Sequence, residues 1–258
     1  MISPLRIWVI ASNTVREAIR SKLLYALLFF AILLIGTGVL VSALSYVERE
    51  RIFQDVGLAA IRLFSVGIAI FLGVGLIHGE VDRRTIYTIL SKPISRSEFL
   101  VGKYVGLVLT TWLQLAIMSV AFAAVSFATG APIDLAHAAA IGLTGIEVMV
   151  IVAVATLFSA FTTPLLSSLF SVGIYMLGHL TRDLRQLGAQ GDVEGFGTFT
   201  VVIHRVLPNL ESFNLSLHAA HGLPISAAEI WLPVAYGIGY AAALLCVAAY
   251  VFERRDFR

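Results

Sequence analysis

The sequence predicts an all-α, polytopic membrane fold with six membrane-spanning helices, and three observations lead to it. The 258 residues are 59% hydrophobic and only 13% charged, about half the roughly 25% charged share of a soluble domain. The charges leave long uncharged intervals: Leu23–Val47, Tyr104–Ile133, Val148–Thr181 and Ile230–Phe252 run for 25, 30, 34 and 23 residues, where roughly 20 apolar residues cross a bilayer as a helix. These intervals are apolar all round, whereas a surface helix of a soluble protein keeps a polar face. With a formal net charge of +2 and no long basic run, disordered and nucleic-acid-binding classes are set aside, and residues 1–258 are expected to form one transmembrane domain.

Residues 1–22 set Ile2, Leu5, Trp8 and Val9 among Arg6, Arg16, Arg20 and Lys22 and lead straight into the first apolar stretch. That pattern predicts a helix lying in the membrane interface rather than a cleaved signal peptide, whose apolar core is shorter. The six spans are expected at 23–46, 58–78, 104–128, 136–161, 164–180 and 230–252. The interval 148–181 has to be divided, because 34 helical residues measure about 51 Å against a hydrocarbon core of about 30 Å. Thr162-Thr163-Pro164 supplies the break, since proline lacks a backbone donor and disfavours helix at the residue before it. The segment 181–229 starts polar and glycine-rich and turns amphipathic from Phe196 to Leu217, with Pro208 as an interruption. Structureless loops of that length are uncommon, so a partly inserted or interfacial helical lid is expected there.

An even number of spans puts both termini on one side. Arg6, Arg16, Arg20, Lys22, Arg83, Arg84, Lys92, Arg96, Lys103, Arg254, Arg255 and Arg258 then share a side, and only Arg49, Arg51, Arg62, Arg182, Arg185 and Arg205 lie on the other. By the positive-inside rule the termini and the loop 79–103 are cytoplasmic.

That loop, Gly79 to Lys103, carries Ile86, Tyr87, Ile89 and Leu90 at helical spacing on a short helix that ends before Pro93. The stripe either docks on a partner protein, with Arg83, Arg84, Lys92 and Arg96 around it, or packs beneath the protein's own spans. Within the spans, Glu147 lies about eleven residues, or 16 Å, from the outer side and so near the midplane, and Gln114 reaches a similar depth from the inner side. An intramembrane carboxyl group is a functional candidate because lipid exposure costs several kcal/mol; the alternative is a structural hydrogen bond between Gln114 and Glu147. Arg62, one turn inside the second span, is expected to snorkel to the outer surface. No metal site is expected from His204, His218 and His221, and the single cysteine, Cys246, permits neither an intrachain disulfide nor a zinc site of the Cys-x-x-Cys kind. Gly102-x3-Gly106, Gly36-x-Gly38 and Gly73-x-Gly75 are read as places of close helix packing.

Glu80, followed by Thr85-Ile86-Tyr87-x-x-Leu90-Ser91-Lys92-Pro93-Ile94-Ser95-Arg96-x-Glu98-Phe99-x-x-Gly102-Lys103, strongly resembles the cytoplasmic loop of ABC transporter permeases of the type-2 exporter class, the small six-span permeases with a separate ATPase subunit. The basic amphipathic N-terminus resembles the family's interfacial elbow helix. Leu207-Pro208-Asn209-Leu210-Glu211-Ser212-Phe213-Asn214 resembles the outside segment before its last span, while Arg84 departs from the glycine many relatives carry. The resemblance implies a coupling helix in which Glu80, Arg83, Arg84, Ile86, Tyr87, Ile89 and Leu90 contact an ATPase. It also implies a bacterial plasma (inner) membrane location, two ATPase subunits, a second copy of the permease, surrounding membrane lipids and room for a periplasmic accessory protein. ATP and Mg would reside on the ATPase, with no cofactor on this chain and no enzymatic activity of its own: its one Gly-Lys pair, Gly102-Lys103, is followed by Tyr104, and Ser97 stands where a P-loop begins with glycine. Two rivals remain, a secondary transporter using Glu147 for ion coupling and an intramembrane hydrolase built on Ser167, Ser168 and His179.

Overall fold

Backbone N–H and C=O groups find no water in a hydrocarbon layer, so an apolar chain of this kind satisfies them within helices. The computed structural model describes residues 3–44, 49–82, 95–190 and 207–254, with the backbone alone at 77–82 and 181–190. Among them the regular elements are all helical: α1 (Pro4–Ile19), α2 (Lys22–Ser42), α3 (Arg49–Asp82), α4 (Arg96–Thr129), α5 (Leu135–Ser159), α6 (Pro164–Gln190), a 3₁₀ turn (Leu210–Phe213), α7 (Ser216–His221) and α8 (Ala227–Arg254). Five of these, α2, α3, α4, α5 and α8, are long and apolar enough to cross a membrane. The expected span 164–180 is the apolar part of α6 and, at 17 residues, is shorter than the other five.

Element ends differ from the expected ones where polar residues continue a helix. α3 begins at Arg49 rather than at 58, and the helical path runs on through 79–82. α4 takes in Arg96 to Lys103, so the expected loop 79–103 narrows to residues 83–94, which lie outside the described ones. Hydropathy locates the part of a helix that lipid surrounds, not the length over which hydrogen bonding continues. At 34 residues each, α3 and α4 measure about 51 Å and exceed the bilayer core. α4 stops at Gly130, whose φ of 76° is the left-handed conformation that glycine adopts without strain. The break at Thr162-Thr163-Pro164 is present: α5 ends at Ser159 and α6 starts on the proline.

α5 forms the centre of the bundle. Val148 and Val150 to Ala155 are buried, with α3, α4, α6 and α8 packed around them. Two side chains of α4 sew it to α5: the Tyr104 hydroxyl donates to the Met149 carbonyl at 3.3 Å and the Trp112 indole N–H to the Gly145 carbonyl at 2.9 Å. α2 packs along α3, where Gly38 meets Val56; Gly73 of α3 meets Ala155 of α5, while Gly36 and Gly75 have no such neighbour.

The first helix packs along the start of α4. Ala11, Thr14 and Ala18 are buried, while Leu5, Trp8 and Val9 are exposed, an apolar outer face suited to an interface. A methyl group at Gly102 would come within 2.7 Å of Ile10, and one at Gly106 within 2.6 Å of Thr14 and 2.7 Å of the Ala11 carbonyl. The Gly102-x3-Gly106 pair is thus a packing notch, as read from the sequence. These contacts advance together along both helices, so α1 and α4 run in the same direction. Gly106→Leu is expected to lower stability in detergent by about 1–3 kcal/mol through overpacking, measured by thermal unfolding. Gly142→Leu, at a position where nothing lies within 4 Å, serves as the insensitive control.

Candidate functional site

Polar side chains are scarce enough that their partners define the sites, and the described residues bring them together at two levels of the bundle. The first is inside the helices. Glu147 of α5 has no exposed surface, and its Oε2 accepts from Arg62 Nε of α3 at 2.9 Å; the Arg62 side chain is 11% exposed. His179 of α6 completes the cluster, its Nε2 lying 3.3 Å from Glu147 Oε1 and 2.5 Å from Arg62 Nη2. His179 Nδ1 is 3.0 Å from the Tyr175 carbonyl. A carbonyl only accepts, so Nδ1 carries the proton and Nε2 accepts from the guanidinium. Glu147 Oε1 then faces a lone pair, and no donor among the described residues satisfies it.

This arrangement corrects two expectations. Arg62 does not snorkel outward but turns into the bundle, because the buried carboxylate offers it a charge-assisted bond that water at the outer surface would only dilute. The alternative in which Gln114 bonds Glu147 is not what forms: the Gln114 side chain is buried, and neither its oxygen nor its nitrogen has a hydrogen-bond partner among the described residues. The hydrolase rival also loses its geometry. Ser167 lies 2.6 Å from the Thr162 hydroxyl, and twelve helical residues, about 18 Å, separate it from His179.

Beside the cluster sits the segment before the last helix. Tyr175 stands among Arg62, Glu147 and Glu211. The 3₁₀ turn buries Leu210 and Phe213 completely or nearly so. Leu210 rests on Gly178 of α6 and Phe213 against Gly237 of α8, approaches that a Cβ at either glycine would obstruct. The turn bonds itself into shape, with Asn214 Nδ2 donating to Glu211 Oε1 at 3.0 Å and the Ser216 N–H to Asn214 Oδ1 at 3.2 Å. The Asn209 N–H donates to the Tyr236 hydroxyl of α8 at 3.1 Å. The sequence Leu207–Asn214 is therefore a wedge between α6 and α8; of the lid expected at 181–229, residues 181–190 continue α6 and 191–206 lie outside the described residues.

The second level is the end of the bundle where α1 and α4 begin and α8 finishes. Ser95 and Glu98 form a reciprocal cap at the start of α4: the Glu98 N–H donates to Ser95 Oγ at 3.1 Å and the Ser95 N–H to Glu98 Oε2 at 3.0 Å. The other carboxylate oxygen, Oε1, accepts from the Ser3 N–H at the start of α1 at 2.7 Å, and Arg6 lies 3.7 Å away. Five residues on, Lys103 is 1% exposed and donates to Glu17 of α1 at 3.1 Å. Arg96 donates to the Glu253 carbonyl of α8, and Phe99 stacks on Phe252. Phe99, Leu100, Ala160, Ala248 and Phe252 make a small apolar core of their own.

Of the expected ATPase-contacting residues, Glu80 falls on the helical backbone of α3, without a described side chain, and Arg83, Arg84, Ile86, Tyr87, Ile89 and Leu90 lie outside the described residues. The sequence leaves Glu147 between a pathway role and a structural pair with Gln114, and carries no local signal for its partners Arg62 and His179 or for what Glu98 and Lys103 hold at α1. The spelling Ser95-x-x-Glu98 was the available signal for the cap.

A family model described as ABC-2 family transporter protein matches residues 8–257, a span that takes in the intramembrane cluster and all of the second except Ser3 and Arg6. No curated protein was found to match the sequence.

Removing one member of a buried ion pair leaves the other charge uncompensated, which costs about 3–5 kcal/mol. Arg62→Met and Glu147→Leu are each expected to lose stability of that order in detergent, and the double variant less than either single one. A double-mutant cycle on thermal unfolding measures the coupling.

Proposed function

The chain belongs to the ABC-2 family of transporter proteins and is a multi-pass membrane permease, and from that premise we propose that it is the transmembrane subunit of an ATP-driven exporter. It works as a homodimer with two separate ATPase chains in the bacterial inner membrane. Both termini and residues 83–94 face the cytoplasm, and α6 is the fifth of six spans. The 17-residue apolar part of α6, about 26 Å long, is at the short end of what crosses a bilayer. In support of the orientation, the starts of α1 and α4 and the finish of α8 lie together, with Arg6, Arg96, Lys103 and Arg254 at that end, in keeping with the positive-inside rule.

The observation that carries the reading is where residues 83–94 fall. They join two helices longer than the bilayer core, and they lead directly into the first turn of α4, which is fastened to α1 and to α8. In this role 83–94 is the coupling helix: Ile86, Tyr87, Ile89 and Leu90 seat in a groove of the ATPase, with Glu80, Arg83 and Arg84 orienting it. ATP and Mg act on the partner. Gly102 and Lys103 of this chain are occupied by α1 and Glu17, which supports the view that no phosphate is cradled there. α1 takes the part of the elbow helix, its exposed Leu5, Trp8 and Val9 toward lipid.

Glu147 serves the assembly of the spans rather than ion coupling, since Arg62 already neutralises it. The secondary-transporter reading thereby loses the carboxylate on which it relied.

The test is reconstitution of the chain with the ATPase encoded beside it. Tyr87→Asp or Leu90→Asp places a carboxylate in the apolar contact and is expected to weaken assembly on the order of tenfold or more, or to leave ATP hydrolysis uncoupled from transport. Unchanged assembly and coupling would overturn the proposal.

A further inference from the structure

Glu98 is a nearly inaccessible carboxylate, 2% exposed, far from the intramembrane cluster and with both oxygens engaged. Oε1 accepts from the Ser3 N–H and Oε2 from the Ser95 N–H. Those are the N-cap residues of α1 and α4, so one anion stands at two helix N-termini, where the unpaired N–H groups concentrate positive charge. The cap of α4 alone would need one carboxylate oxygen. The second oxygen ties α4 to another helix.

That tie is one of two. Glu98 holds the start of α1, Lys103 holds Glu17 near its end, and the Gly102 and Gly106 notches seat the stretch between them. A helix held at both ends and keyed in the middle follows the helix it is tied to. The next residues on the other side of Ser95 are 83–94, the segment proposed to meet the ATPase.

We infer that Glu98 is a positioning residue for coupling: by holding the Ser3 N–H it makes α1 move as one body with the first turns of α4 when the 83–94 segment is displaced. The inference rests on the ATPase reading given above. It is separate from the cap itself, because the cap uses Ser95 and the tie uses Ser3. Ser3→Pro divides them, and Glu98→Gln weakens the carboxylate that both share. Ser3→Pro deletes the donor N–H while leaving the Ser95–Glu98 cap in place; the backbone at Ser3 is already extended, φ −98° and ψ 114°, and has to turn by about 33° in φ to reach the value near −65° that proline takes. Glu98→Gln keeps one acceptor oxygen but turns an NH₂ toward one of the two N–H donors, so one of the two bonds is lost.

The experiment uses the full permease–ATPase complex in lipid nanodiscs, in a Cys246→Ser background. A spin label at Asn13→Cys, on the exposed side of α1, reports the distance between α1 of the two copies in the nucleotide-free state and in a state trapped with ATP and vanadate. The parent complex is expected to show a change of distance. Ser3→Pro and Glu98→Gln are expected to lose roughly half or more of that change while assembly and ATP hydrolysis persist. A purely structural role would lower the unfolding temperature and leave the ATP-driven change intact. A parent complex whose α1 distance ignores ATP, or variants that shift as the parent does, would overturn the inference. A chain that fails to assemble with the ATPase at all would instead overturn the reading on which it rests.

Discussion

A carboxylate with no exposed surface in a bundle built for lipid has to be neutralised by its neighbours, and the way Glu147 is neutralised organises the interior of this protein. The bond from Arg62 to Glu147 brings α3 to α5, and the bond between Arg62 and His179 brings α6 to the same point. The three helices otherwise meet through Val, Ile, Leu and Ala side chains, whose packing is strong in sum but nearly indifferent to register. A charge-assisted hydrogen bond is directional, so it selects one rotation and one height for each helix from many that bury equivalent area. Replacing a buried pair by apolar residues of similar volume is often neutral or stabilising, so the pair is weak evidence for net stability, while its geometry fixes how the helices meet.

The same constraint operates at the other end with different chemistry. There the groups to be satisfied are backbone N–H donors at helix starts and one lysine ammonium. Glu98 meets two helix N-termini at once, and Glu17, on an exposed edge, meets Lys103. These bonds lie where α4 extends past the stretch a bilayer would cover, and they combine with the Phe99–Phe252 stack to unite α1, α4 and α8. The protein thus holds its few charges at two stations, one inside the helices and one at the basic end. Much of the length of α4 and α5 between them is joined by apolar contact and by the Tyr104 and Trp112 bonds to backbone carbonyls.

In the proposed role beside a separate ATPase, such a division would have a mechanical sense. Displacement applied near residue 95 acts on a body already made of several helices, while the interior station holds α3, α5, α6 and the Leu207–Asn214 wedge in register. Between the two stations α4 and α5 are held by the Tyr104 and Trp112 bonds as well as by apolar contact, so the two helices are tied along their length. The wedge itself depends on small residues: Gly178 and Gly237 let Leu210 and Phe213 approach the backbones of α6 and α8, so the outside segment is keyed into the helices instead of resting on them.

The sequence by itself determined the helical class, the order of the apolar segments, the break at Pro164 and the packing role of Gly102 and Gly106. Each of these follows from local quantities: hydropathy over a window, a missing proline donor, the absence of a Cβ. It also determined that Glu147 lies deep, because rise per residue converts position into height. Height did not reveal its partner. Gln114 sits at a comparable depth and was the plausible choice, yet depth is one coordinate, and contact also requires the right face of the right neighbour. Arg62 is 85 residues away from Glu147 along the chain, and Glu98 is 95 from Ser3. Which of these meet is decided by how α1, α3, α4, α5 and α6 are rotated and stacked against one another, a property of the assembled bundle that no single segment encodes. Tertiary structure therefore decided that Arg62 turns inward, that Gln114 stands without a hydrogen-bond partner among the described residues, and that one carboxylate serves the starts of two helices.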